Sequence, residues 1–166
     1  MTIRPVLSLA ELHLGRPCLA LNEIDEVALE LAQDLIDTMR SSPACVGLAA
    51  PQIGIDLRAF ALDCSSHPKT TTCHGELVIF NPVLALTGGA LVAREGCMSV
   101  PDLTGDVRRS ETVEISGTGV DGSSMHFVSS GFEARAIQHE CDHLDGLLFL
   151  DRLSGPEALH QRRVYR

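Results

Sequence analysis

The run Gln138-His-Glu-Cys-Asp-His-Leu-Asp-Gly146 concentrates more chemistry than any other stretch of the chain. His139 and His143 stand four residues apart. On a helix such a pair leaves one face, one turn from each other, and can hold a single metal ion. Glu140, beside the first imidazole, is placed to hold or move a proton at a water on that ion. A catalytic ion needs a third protein ligand and one open position. The location of that third ligand decides the chemistry.

Downstream candidates are poor. One large group of zinc proteases extends the motif to H-E-x-x-H-x-x-G-x-x-H; here Gly146 is kept, but Phe149 occupies the last position and a phenyl ring cannot ligate. Another group takes a glutamate from a later helix. Glu157 lies only nine residues from the end, too little chain for a helix to return. Upstream, Glu95-Gly-Cys-Met-Ser99 offers Cys97, whose thiolate suits a divalent transition metal. A third segment, Gly47-Leu-Ala-Ala-Pro-Gln-Ile-Gly54, surrounds Gln52 with small residues. That makes poor core but lets a backbone approach a ligand closely.

In order and separation, these three segments resemble the motifs of the peptide deformylase family, roughly G-φ-G-φ-A-A-x-Q, E-G-C-φ-S and Q-H-E-φ-D-H. The likeness extends from about residue 24 to residue 152, with two departures: Cys45 replaces the first glycine, and Cys141 stands where Leu or Met is usual. The resemblance implies one divalent ion per chain, held by Cys97, His139 and His143. Ferrous iron is expected, with zinc, nickel and cobalt compatible with the donor set. It implies that Glu140 moves the proton of the attacking water. The side-chain amide of Gln52 and the backbone N–H of Met98 would meet the charge growing on the formyl oxygen. Phe132, Arg135 and Ala136 share the face of His139 by spacing. By resemblance that face and Val46 form a pocket for methionine, and Gly47 pairs with the extended peptide.

The implied activity is removal of the formyl group from the N-terminal formyl-methionine of newly made polypeptides, releasing formate. A related amidase or peptidase redirected by Cys45 is the alternative, and a metal-binding protein without turnover is a third class. Support for the metal ligands is expected from Glu95, paired with Arg108 or Arg109, and from Asp142, which can tie the helix to nearby loops. Arg109 is carried as the candidate.

The elements needed to position these groups alternate along the chain as an α+β fold in one domain, 1–166. Short, mainly antiparallel strands pack around a central metal-binding helix, with a helix near each end. Asn22 and Asp25 can cap a helix of about sixteen residues in which Val27, Leu31, Leu35 and Met39 form the apolar stripe and Glu26, Glu30, Asp34 and Asp37 the solvated face. Strands are predicted over 46–49, 57–62, 77–81, 83–86, 90–94, 111–116 and 125–129, with a turn at 120–123. Gly131 opens the metal-binding helix, which stops near Gly146. A strand at 147–150 and a helix from Pro156 complete the prediction, and the basic end 161–166 reads as a solvated helix terminus. A loop holding Cys64, His67, Cys73 and His74 offers four possible ligands in a spacing that fits no common zinc finger.

Composition frames this reading. The 166 residues are 45% hydrophobic and 21% charged, which suits one compact core. A net charge of −9 disfavours nucleic acid and anionic membranes as partners. The expected partners are a formyl-methionyl peptide and, transiently, the ribosome exit region. No export signal or membrane-length apolar run stands out, so six cysteines point to reduced thiols and a cytoplasmic setting.

Overall fold

The computed structural model describes residues 2–162. Helix α1 (Glu26–Ser41) begins where Asp25 accepts the Ala28 N–H at 2.9 Å, satisfying one of the donors a helix start leaves free. Ala28, Leu31, Leu35 and Met39 face inward, whereas Val27 is exposed. The predicted solvated face is only half so. Glu26 and Glu30 are exposed, but Asp34 and Asp37 are buried. The N-terminal segment covers that side: Arg4 Nε donates to Asp34 at 2.7 Å and the Arg4 N–H to Thr38 Oγ1 at 2.9 Å.

Two antiparallel sheets follow. The larger contains β1 (Gly47–Ala49), β2 (Ala59–Leu62), β3 (Leu77–Leu86), β6 (Thr112–Thr118) and β7 (Ser124–Ser130), in the order β1-β2-β3-β6-β7. The smaller contains β4 (Ala90–Cys97), β5 (Val100–Ser110) and β8 (Leu159–Gln161), in the order β4-β5-β8. Helix α2 (Gly131–Leu144) carries the histidines. Its Ala134, Ile137, Cys141 and Leu144 pack on Phe60, Leu62, Ile79 and Ile115 of the larger sheet. Full burial of a Leu, Ile or Phe is worth about 1.5–3 kcal/mol, so this face fixes the helix on the sheet.

Several predicted elements change. The two strands at 77–81 and 83–86 are one strand, β3, with its register against β6 shifted between Phe80 and Val83. Pro82 has no N–H to offer a ladder, and Asn81 takes φ 50°. The Asn81 side chain holds the bulge by bonding both the N–H and the C=O of Leu21 at 2.8 Å. Strand β5 was not anticipated, because Pro101, Asp102, Gly105 and Asp106 hide its pattern. Pairing with β4 and β8 on its two sides makes it a strand. The predicted strand at 147–150 is instead a loop running into a 3₁₀ turn, Phe149–Arg152, started by the Asp151 carboxylate accepting the Leu148 N–H at 2.8 Å. No C-terminal helix begins at Pro156 among the described residues. The chain turns there and adds β8 to the edge of β5, with Leu103 opposite Gln161. The basic end therefore starts on a strand, and residues 163–166 lie outside the described ones.

Candidate metal centre and active site

Three elements converge on one cage. Cys97 ends β4, His139 and His143 project from α2, and Gln52 sits in the 3₁₀ turn Ala50–Ile53 after β1. One ligand atom from each of Cys97, His139 and His143 lies within 4.8 Å of the others. Cys97 Sγ and His143 Nε2 are 3.3 Å apart. His139 Nδ1 meets Glu95 Oε2 at 3.0 Å, which leaves Nε2 as its ligand atom. Burial opposes charge on the sulfur, but His143 and His139 beside it hold the Cys97 thiol well below its ordinary pKa. The two rings therefore favour the thiolate form, and a Cys/His/His donor set of this span fits one divalent transition metal.

Behind the cage stands a charged lattice built on Glu95. Arg109 grips its carboxylate with two bonds of 3.0 Å, and Arg135 Nη1 adds a third at 2.7 Å. Burial would raise the Glu95 pKa, yet His139 and Arg109 hold it far below the usual carboxylate range. The other side of Arg109 reaches Asp142, whose second oxygen takes Arg152 at 3.0 Å. Between the two arginine candidates the fold chooses by strand alternation: Arg109 is buried on β5 and Arg108 points to solvent. Gln138, which sequence reasoning left without a role, staples α2 to β5. Its Oε1 accepts from Ser110 N at 3.0 Å and its Nε2 donates to Ser110 O at 2.9 Å.

Glu140 has the opposite surroundings. It is buried, and its Oε2 has no hydrogen-bond partner. Burial, opposed by His139 and His143, pushes its pKa up to about 6. Gly47 makes room for it, since a Cβ there would stand 2.5 Å from Glu140 Oε1. The Gln52 amide is oriented by its own turn: Oε1 accepts the Ala49 N–H at 2.9 Å. Nε2 consequently faces the cage, 3.5 Å from Cys97 Sγ and 3.2 Å from the buried Ser99 hydroxyl. Ser99 was missed, although its place two residues after Cys97 could have drawn attention.

A groove of about 310 Å³ opens onto these groups. Val46, Gly47, Gln52, Met98, Phe132, Arg135, Ala136 and Glu140 all border it, so the candidate residues for reaction and substrate meet in one place. Arg135 borders it with its guanidinium committed to Glu95, Val107 O and Leu91 O. Cys45 also borders the groove, and its thiol donates to Gly47 O at 3.1 Å. Burial, then the charge of Glu140, pushes that thiol up to about 12. His67, from the loop between β2 and β3, stacks on Phe132 with ring centres 3.9 Å apart. His74 from the same loop meets Glu133 Oε2 at 2.7 Å. These two rings are thereby drawn to different partners rather than toward Cys64 and Cys73. Among the described residues, the one cluster of three or more metal-ligating side chains is the Cys97/His139/His143 cage.

A mainly antiparallel α+β scaffold, a Cys/His/His cage and a buried unpaired carboxylate in a groove define a single-metal hydrolase. The family model for polypeptide deformylase matches residues 3–158. Peptide deformylase 1 of Corynebacterium glutamicum is 43% identical over 145 residues, covering 87% of this chain and 83% of that protein. The crystal structure of a peptide deformylase from Legionella pneumophila superposes with a TM-score of 0.83 at 35% identity, covering 92% of this chain and 87% of that one. A Met-Ala-Ser-bound class I type b peptide deformylase from Acinetobacter baumannii superposes with a TM-score of 0.84 at 31% identity, covering 92% of this chain and 100% of that one. The chain belongs to the polypeptide deformylase family. Its activity is hydrolysis of the N-formyl group from the N-terminal formyl-methionine of polypeptides. No helix among the described residues is long and apolar enough to cross a membrane.

Proposed function

We propose that the formyl group is removed at the Cys97/His139/His143 cage, with Glu140 as the proton carrier and Gln52 and Met98 as the oxyanion donors. The observation that carries this reading is the buried Glu140 Oε2 without a partner among the described residues, on a side chain that stands beside the cage and borders the groove. A desolvated carboxylate is tolerated in such a place when it has a proton to take.

A divalent ion held there supplies a Lewis acid that makes a water acidic near neutral pH. The family resemblance points to ferrous iron as that ion. Glu140 takes the proton of the attacking water as oxygen adds to the formyl carbon. Negative charge grows on the former carbonyl oxygen, where the preoriented Gln52 Nε2–H and the Met98 N–H receive it. Glu140 then gives its proton to the departing nitrogen. The carbon–nitrogen bond breaks, and formate and a free amine leave.

Substrate placement follows from the sheet. β1 lies at an edge of the larger sheet, so its outer side can pair with an extended peptide at Gly47. Val46, Phe132 and Ala136 then receive the methionine side chain, and the Met-Ala-Ser bound by the Acinetobacter baumannii enzyme supports a methionine-containing peptide as the occupant. Arg135 supports the pocket wall from behind. The whole chain acts as one catalytic domain, on polypeptides leaving a bacterial-type ribosome in the cytoplasm.

The test is formate release from formyl-Met-Ala by the ferrous protein, beside an unformylated control. Turnover of the formylated peptide alone is expected, and formyl-Met should exceed formyl-Gly in kcat/KM by at least about tenfold. No formate from any peptide by the metal-loaded protein would sink the reading.

A further inference from the structure

The groove has a basic rim that the reaction does not use. Three exposed cations, Lys69, Arg94 and Arg162, border it in a chain whose net charge is −9. The carboxylates that border it, Glu95 and Glu140, are both buried. Arg94 is compensated, since its Nε meets Asp106 at 2.6 Å and its Nη2 meets the second oxygen at 3.3 Å. Neither Arg162 nor Lys69 has a carboxylate partner among the described residues.

Arg162 is held in place although its charge is uncompensated. Its Nη2 donates to Cys97 O at 3.0 Å and to Leu103 O at 3.5 Å, both neutral acceptors. The guanidinium lies across Gly96, where a Cβ would come within 2.6 Å of Nη2. Pairing of β8 with β5 delivers it to this position. A guanidinium carries five donors in a planar fork, and among the described residues Nε and Nη1 have no partner, which leaves them oriented toward a carboxylate. Lys69 borders the same groove from a different segment, a loop whose Lys69 N–H donates to His67 Nδ1 at 3.2 Å while His67 stacks on Phe132.

We propose that Arg162, assisted by Lys69, recognises a carboxylate on the formylated peptide beyond its methionine, a selectivity that rests on the deformylase reading of the same groove. The carboxylate is a Glu or Asp side chain at the second or third residue, or the α-carboxylate of a short peptide. A fixed guanidinium loses little freedom on binding, which favours it over a mobile surface charge.

Steady-state kinetics of the metal-loaded enzyme at low salt test this. The substrates are formyl-Met-Glu-Ala-amide, formyl-Met-Ala-Glu-amide, their Gln counterparts, and formyl-Met-Ala-Gln as the free acid. A carboxylate is expected to lower KM about threefold at unchanged kcat, the size of an exposed ion pair. About 0.5 M salt should remove the advantage. Arg162→Gln, with metal content measured alongside, should also abolish it, and Lys69→Glu should reverse it. An advantage for an amidated Glu peptide identifies the side chain as the recognised group; one confined to the free acid identifies the α-carboxylate. Equal KM values for Glu, Gln and free-acid peptides at low salt overturn the proposal, as does an advantage that persists in Arg162→Gln. Failure of the deformylase reading looks different: no peptide of the set releases formate.

Discussion

Two glutamates flank the metal cage, and their surroundings drive them apart. Glu95 is saturated: Arg109, Arg135 and His139 occupy both oxygens, and it stays ionised far below the normal range. Glu140 is equally buried but leaves one oxygen unpaired and has its pKa raised to about 6. The chemistry of the side chain is the same. A carboxylate locked by cations orients a ligand, whereas one denied partners can exchange a proton. Environment, not side-chain type, separates the two.

The sharpest way to break the comparison is Glu140→Gln. It removes the titrating group at nearly constant shape, so kcat should fall by about 10²–10⁴-fold while metal content per chain, read by atomic absorption, stays at one. Retention of near-normal turnover would show that the unpaired carboxylate is not the proton carrier. Gly47→Ala comes next. The new Cβ would meet Glu140 Oε1 at 2.5 Å and force the carboxylate aside, so kcat should drop by about 10²-fold with the metal retained. Glu95→Ala should act on the other side of the comparison. Loss of the carboxylate frees His139 and leaves Arg109 with Asp142 as its one carboxylate partner among the described residues, so metal affinity measured by chelator competition should fall about 10–100-fold. Urea unfolding of the same variant should show a loss of about 3–5 kcal/mol, from the buried cations left uncompensated. Arg152→Ala trims only the half-exposed outer partner of Asp142 and should cost under about 1 kcal/mol in the same unfolding assay. A larger effect would mean that the outer end of the lattice is coupled to its centre.

The site was more legible in the chain than the scaffold that holds it. His139 and His143 could be paired from their types and spacing, Cys97 joined them through the resemblance of the three motifs, and Gln52 and Gly47 stood out because small residues surround them. The purpose of Gly47 could not be read there, since the atom it avoids is on a helix ninety-three residues away. Arg108 and Arg109 looked alike until the pairing of β5 decided which one faces inward. Asp34 looked solvated because helix periodicity says nothing about the N-terminal segment that crosses over it.

Local patterns determined α1, α2 and the His139/His143 pair, because caps, periodicity and i,i+4 spacing act between near neighbours in the chain. Pairing between distant segments decided the rest. Strand β5, with its Pro, Gly and Asp residues, exists because β4 and β8 satisfy its backbone, and the chain after Pro156 is a strand because an open edge was waiting for it. Arg162 at the groove is a consequence of that pairing. Backbone hydrogen bonds between strands depend on what the fold brings alongside, and a single sequence does not record which edges stay open.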